Sequence, residues 1–181
     1  MVELDISHNQ MRRYPSEIDE LRALQYIGIG HNGLHDISED FGKSLFRLEE
    51  IHLQGNKVHV LPDSFQGLKF CQYLNVASNL LEYLPNEIDG MACLTELDLR
   101  DNRLTGLPAS FAQIPALEKL WLQDNLFVAI PKQVTVIPLL LELDVSGNPR
   151  HNSVSLRLPA IWVCPKCMGD GGSVRRLGLH V

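Results

Sequence analysis

Seven asparagines recur along this chain at near-constant spacing. Asn9, Asn32, Asn56, Asn79, Asn102, Asn125 and Asn148 are separated by 23, 24, 23, 23, 23 and 23 residues. Each closes a similar stretch, from "ELDISHNQM" and "YIGIGHNGL" through "ELDLRDNRL" to "KLWLQDNLF" and "ELDVSGNPR". A fixed period of this length marks a stack of small units. One coil cannot bury its apolar face alone, so neighbouring coils must share a continuous core.

Each unit reads L-x-x-L-x-L-x-x-N-x-L, with Ile, Val or Cys at some Leu positions. This is similar to the leucine-rich-repeat pattern, over residues 1 to about 150. Leu97 and Leu99 lie two apart, so on a strand both point inward while Glu96, Asp98 and Arg100 point to water. The expected fold is therefore α/β: a curved right-handed horseshoe with a parallel sheet on its concave face and short helical or 3₁₀ turns on its convex face. The asparagines have a structural role in that scheme. Each amide sits at the turn leaving a strand, where it can donate and accept between the backbones of successive coils.

Five return segments carry a proline followed three residues later by an apolar group: Pro15/Ile18, Pro62/Phe65, Pro85/Ile88, Pro108/Phe111 and Pro131/Val134. Proline ends the extended segment and starts a tight turn. This L-P-x-x-[IF] form resembles the 23-residue class of cytoplasmic proteins related to regulators of Ras-type signalling. The second unit lacks the proline and has one extra residue, so a local bulge on the convex side is expected there. Residues 151–181 break the pattern. Leu156, Leu158, Ile161, Trp162 and Val163 are expected to cover the last coil over about 151–163, followed by a basic, Gly-rich tail. At the other end the repeat begins at Met1. The strand edge Glu3 to Ser7 then needs either a marginal first coil, a covering partner, self-association or a longer chain.

The formal charge is −6, and residues 151–181 contribute +3, leaving −9 on residues 1–150. That balance argues against general nucleic-acid binding. No apolar run approaches the roughly 20 residues that span a bilayer. "MVELDISHNQ" lacks a basic-then-apolar leader, no Asn-X-Ser/Thr site occurs, and the four cysteines form no disulfide framework. These features point to a cytoplasmic location. No catalytic triad order, phosphate loop or metal-protease helix is present, and no cofactor is implied. Cys164 and Cys167 form one CxxC, which supplies two of the four ligands that structural zinc needs. It is a weak metal candidate, and a redox- or metal-responsive switch is the competing reading. His8, His31 and His52 are expected on adjacent strands, near enough to raise the question of a metal or pH-sensing site.

The concave face offers a partner-binding surface. One column of outward positions runs Glu3, Tyr26, Glu50, Tyr73, Glu96, Lys119 and Glu142. The next runs Asp5, Gly28, His52, Asn75, Asp98, Trp121 and Asp144, and a third includes Arg100 and Gln123. Trp121 is expected as an exposed indole among acids. Aromatic residues dominate protein–protein contacts and acids steer basic partners. The expected function is a non-catalytic interaction module or scaffold that binds a protein with a basic or mixed-charge surface across repeats three to six. The setting is signalling or a larger assembly.

Overall fold

The computed structural model describes residues 1–149 and 155–157. Eight short strands form one open sheet in sequence order: β1 (Glu3–Asp5), β2 (Tyr26–Gly28), β3 (Glu50–His52), β4 (Tyr73–Asn75), β5 (Glu96–Asp98), β6 (Lys119–Trp121), β7 (Glu142–Asp144) and β8 (Ser155–Arg157). The first seven are parallel and stay in strict register, so the columns read from the sequence are physical rows across the sheet. β8 runs antiparallel on β7. It is the described part of the expected cap at 151–163; Cys164, Cys167 and the tail lie outside the described residues.

The return segments are 3₁₀ turns at Ser16–Glu20, Asp63–Gly67, Ile88–Gly90, Ala109–Gln113 and Lys132–Val136. Four are entered from a proline, at Pro15, Pro62, Pro108 and Pro131, the first three of them extended. Parallel strands pack more closely than the turns behind them, and that difference in width bends the stack into a curved solenoid. In the second coil the extra residue, expected as a local bulge on the convex side, is accommodated in the return segment. It converts the turn into one α-helical turn, α1 (Phe41–Ser44). Gly42 lets the third coil pack closely against this turn, because a Cβ there would collide with the Ser64 carbonyl oxygen.

The core lies between the sheet and the turns. Leu and Ile from the strands meet Ile18, Phe41, Phe65, Ile88, Phe111 and Val134 from the convex side, all buried. Phe41 stacks on Phe65 at 5.2 Å, and Tyr14 meets Phe41 edge-on at 5.9 Å. Cys71 takes a Leu position in this core. Burial pushes its thiol up to about 12, whereas Cys93 is exposed. Iodoacetamide at pH 8 is therefore expected to label Cys93 and leave Cys71 untouched until denaturant is added, with peptide mapping as the check. The raised thiol also sets a sign for stability. Its contribution is complete below the unfolded value near 9 and is lost as pH rises from there towards 12.

The asparagines form a continuous ladder. Asn102 Nδ2 donates to the Leu99 carbonyl in its own coil at 3.1 Å and to the Val76 carbonyl in the preceding one at 3.0 Å. Its Oδ1 accepts the Leu81 N–H at 3.0 Å. Asn32, Asn56, Asn79, Asn125 and Asn148 repeat this pattern. Asn9 bonds only its own coil, to the Ile6 and Ser7 carbonyls.

Candidate functional site

Three rows of side chains stand on the concave face, set by the register of β1 to β7. Together with Asp101 and Asp124 at the turns, these rows carry nine carboxylates against two cations, Arg100 and Lys119. The rest of residues 1–150 is nearly balanced, with twelve carboxylates against ten cations. Most of the negative excess of the repeats is thus concentrated on the sheet face and its rim.

The charge is not uniform along the arc. On β5 and β6 the acids are internally satisfied. Arg100 Nε donates to Asp98 Oδ1 at 2.9 Å and Nη2 to Asp98 Oδ2 at 2.6 Å, while Lys119 Nζ lies 2.7 Å from Glu96. Asp98 is 1% exposed. The expectation that it faces a partner is corrected: the neighbouring guanidinium folds over it and both carboxylate oxygens are engaged. Arg100 remains half-exposed and is the group presented outward. Trp121 is also corrected. It is partly buried rather than a free indole, because the rows on β5 and β7 flank it in register at strand spacing. Gln123, Glu142 and Asp144 stand partly exposed at the far end of the face.

The other half of the face has a different character. His52 lies between two tyrosines, with its ring 5.1 Å from both Tyr26 and Tyr73. His52 Nε2 is 3.6 Å from Glu50 Oε2, and Glu50 is exposed. Asn75 donates to the Tyr73 hydroxyl at 3.2 Å. Gly28 leaves a gap in the second row that Asp5 leans across; a Cβ there would meet Asp5 Oδ1 at 2.7 Å. Desolvation, then Asp5, Glu50 and Glu3, push the Tyr26 phenol above its ordinary value. The sequence columns contained these residues, but not the lean of Tyr26 and Tyr73 over His52, which crosses from one row to the next. Gly28, in a row of otherwise polar or aromatic groups, is the linear signal of the gap.

The expected histidine cluster divides in two. His8 and His31 are not on strands. They occupy the left-handed turn position, with φ of 56° and 52°, and stack on each other at 4.4 Å. His52 belongs to the tyrosine cluster instead. Among the described residues no group of three or more His, Cys, Asp or Glu side chains could hold a metal ion.

The leucine-rich-repeat family model matches residues 22–81, 46–104 and 72–127 in overlapping copies, more than half of the chain. This chain belongs to the leucine-rich-repeat family. A leucine-rich-repeat protein of Leptospira interrogans is 32% identical, superimposes with a TM-score of 0.75 and is matched over 80% of this chain and 37% of that one. The ectodomain of the plant membrane receptor kinase GASSHO1/SCHENGEN3 from Arabidopsis thaliana, in complex with CASPARIAN STRIP INTEGRITY FACTOR 2, is 29% identical with a TM-score of 0.73, over 82% of this chain and 18% of that one. Bovine (Bos taurus) asporin is 31% identical over 75 residues, 41% of this chain and 20% of asporin. The chain thus spans less than two fifths of the length of each of these proteins. Leucine-rich-repeat proteins generally act as protein–protein interaction modules, and the family is typically non-catalytic. Among the described residues no helix is long and apolar enough to cross a membrane.

Proposed function

We propose that this leucine-rich-repeat chain is a non-catalytic binding module whose concave face holds a partner protein with a basic or mixed-charge surface. The observation that carries this reading is the concentration of negative charge on that one face, together with Tyr26, Tyr73 and Trp121 standing among the acids. Acids attract and orient a basic partner over a Debye length of about 8 Å, and aromatic anchors supply much of the contact energy. An open sheet sets its carboxylates side by side rather than opposed across a cleft, which suits docking and not acid–base chemistry. The free thiols Cys71 and Cys93 fit a reducing, cytoplasmic setting, as a signalling scaffold or an assembly subunit.

The test is capture of a partner by the intact protein. Trp121→Ala is expected to weaken capture by about 2 kcal/mol, the size of a hot-spot truncation. If capture is unchanged in Trp121→Ala combined with Glu96→Lys, with fold retained by circular dichroism, the concave face is not the docking surface.

A further inference from the structure

We infer that the β1–β4 end of the concave face is a subsite for one cationic side chain, arginine or lysine, of the partner, built from Glu50 and the rings of Tyr26 and Tyr73 around His52. This inference rests on the concave face being a protein-binding surface and adds where a basic side chain is read.

Three observations converge. Glu50 projects between Tyr26 and Tyr73 in the first row, in register with both, so an exposed carboxylate is flanked by two aromatic side chains. The rings are held in place rather than free, because each packs on His52 at 5.1 Å and the Tyr73 hydroxyl accepts from Asn75. Finally, Glu3, Asp5 and Glu50 have no lysine or arginine partner among the described residues, unlike Glu96 and Asp98 on β5.

A guanidinium or ammonium fits such a place on two grounds. It pairs with the carboxylate, and the negative faces of the rings attract it further. Gly28 and Gly30 carry no side chain, and the space above them is taken by Asp5 and Gln54 from the neighbouring coils, so Asp5 is drawn towards the Tyr26 side of the face. Arg100 and Lys119 occupy Asp98 and Glu96 on β5. Glu142 and Asp144 on β7 have no lysine or arginine partner among the described residues, but their register neighbours on β6 are Lys119 and Trp121 rather than a pair of tyrosines.

The experiment uses the full chain and a fluorescein-labelled peptide of alternating arginine and serine, eight residues long, followed by anisotropy at low and moderate salt. Wild type is expected to bind, more weakly as salt rises. Glu50→Gln is expected to weaken binding about threefold to fivefold. Tyr26→Leu, which keeps bulk and removes the ring, is expected to weaken it about threefold. Asp101→Asn removes one charge from the same face outside the subsite and is expected to change binding less than twofold. Equal loss in Glu50→Gln and Asp101→Asn, or wild-type binding in Glu50→Gln and Tyr26→Leu, overturns the subsite while leaving a basic-partner surface in place. No binding of the peptide by folded wild type overturns both the subsite and the basic-partner reading.

Discussion

Replacing Asn102 by leucine is expected to cost about 2 kcal/mol in denaturant unfolding. The side chain is buried and joins two coils. Leucine leaves the Leu81 N–H without its acceptor, at 3.0 Å in the native chain, and a buried donor left unpaired costs roughly 1–3 kcal/mol. The carbonyls lose less. Val76 O still accepts from Asn79 at 3.0 Å, and Leu99 O from Asn125 at 2.9 Å, because each rung is shared by two asparagines. This sharing predicts a contrast. Asn102→Asp retains the acceptor but turns a carboxylate towards three carbonyl oxygens, those of Val76, Leu99 and Arg100. Its folded pKa is then raised above the unfolded value, so the variant should be better tolerated at pH 4 and lose stability as pH rises. An Asn102→Leu protein with the wild-type unfolding midpoint would show that the ladder contributes nothing.

The larger loss is expected at Phe65. Its side chain has no exposed surface and stacks on Phe41 across the boundary between the second and third coils. Truncating a buried Phe to Ala costs about 3–5 kcal/mol, and the site cannot collapse easily because the backbone of α1 already touches Ser64. In a stack where each coil meets only its neighbours, such a loss is local. Phe65→Ala should therefore uncouple the first two coils from the rest. Hydrogen exchange is expected to accelerate first at the amides of residues 1–45, with Leu97 and Leu120 protected much longer. Uniform acceleration along the chain would mean that the repeats unfold as one unit.

Both predictions depend on features of different legibility. The ladder positions and the 23-residue period were plain in the linear chain, and so were the apolar positions that become the core. The columns of the concave face were also legible, since a parallel sheet with a constant repeat length places equivalent residues side by side. What the columns could not carry was the availability of each side chain. Asp98 and Trp121 both occupy outward positions, yet one is covered by Arg100 and the other is half-buried. Likewise His8 and His31 sit in a left-handed turn that a strand-based reading assigns to the sheet.

By itself, the sequence determined the repeat, the parallel order of the coils, the inward leucines and the sign of the concave face. These follow from period and side-chain alternation, which are properties of the backbone and act over a few residues. Only the tertiary structure decided which charges cancel and which stay open. Arg100 reaches Asp98 two residues away along the chain, while Lys119 reaches Glu96 from the next strand. Tyr26 and Tyr73 lean over His52 from strands on either side of it. Such pairings depend on rotamers chosen in three dimensions, where a long side chain has several partners within reach and the linear order does not say which it takes.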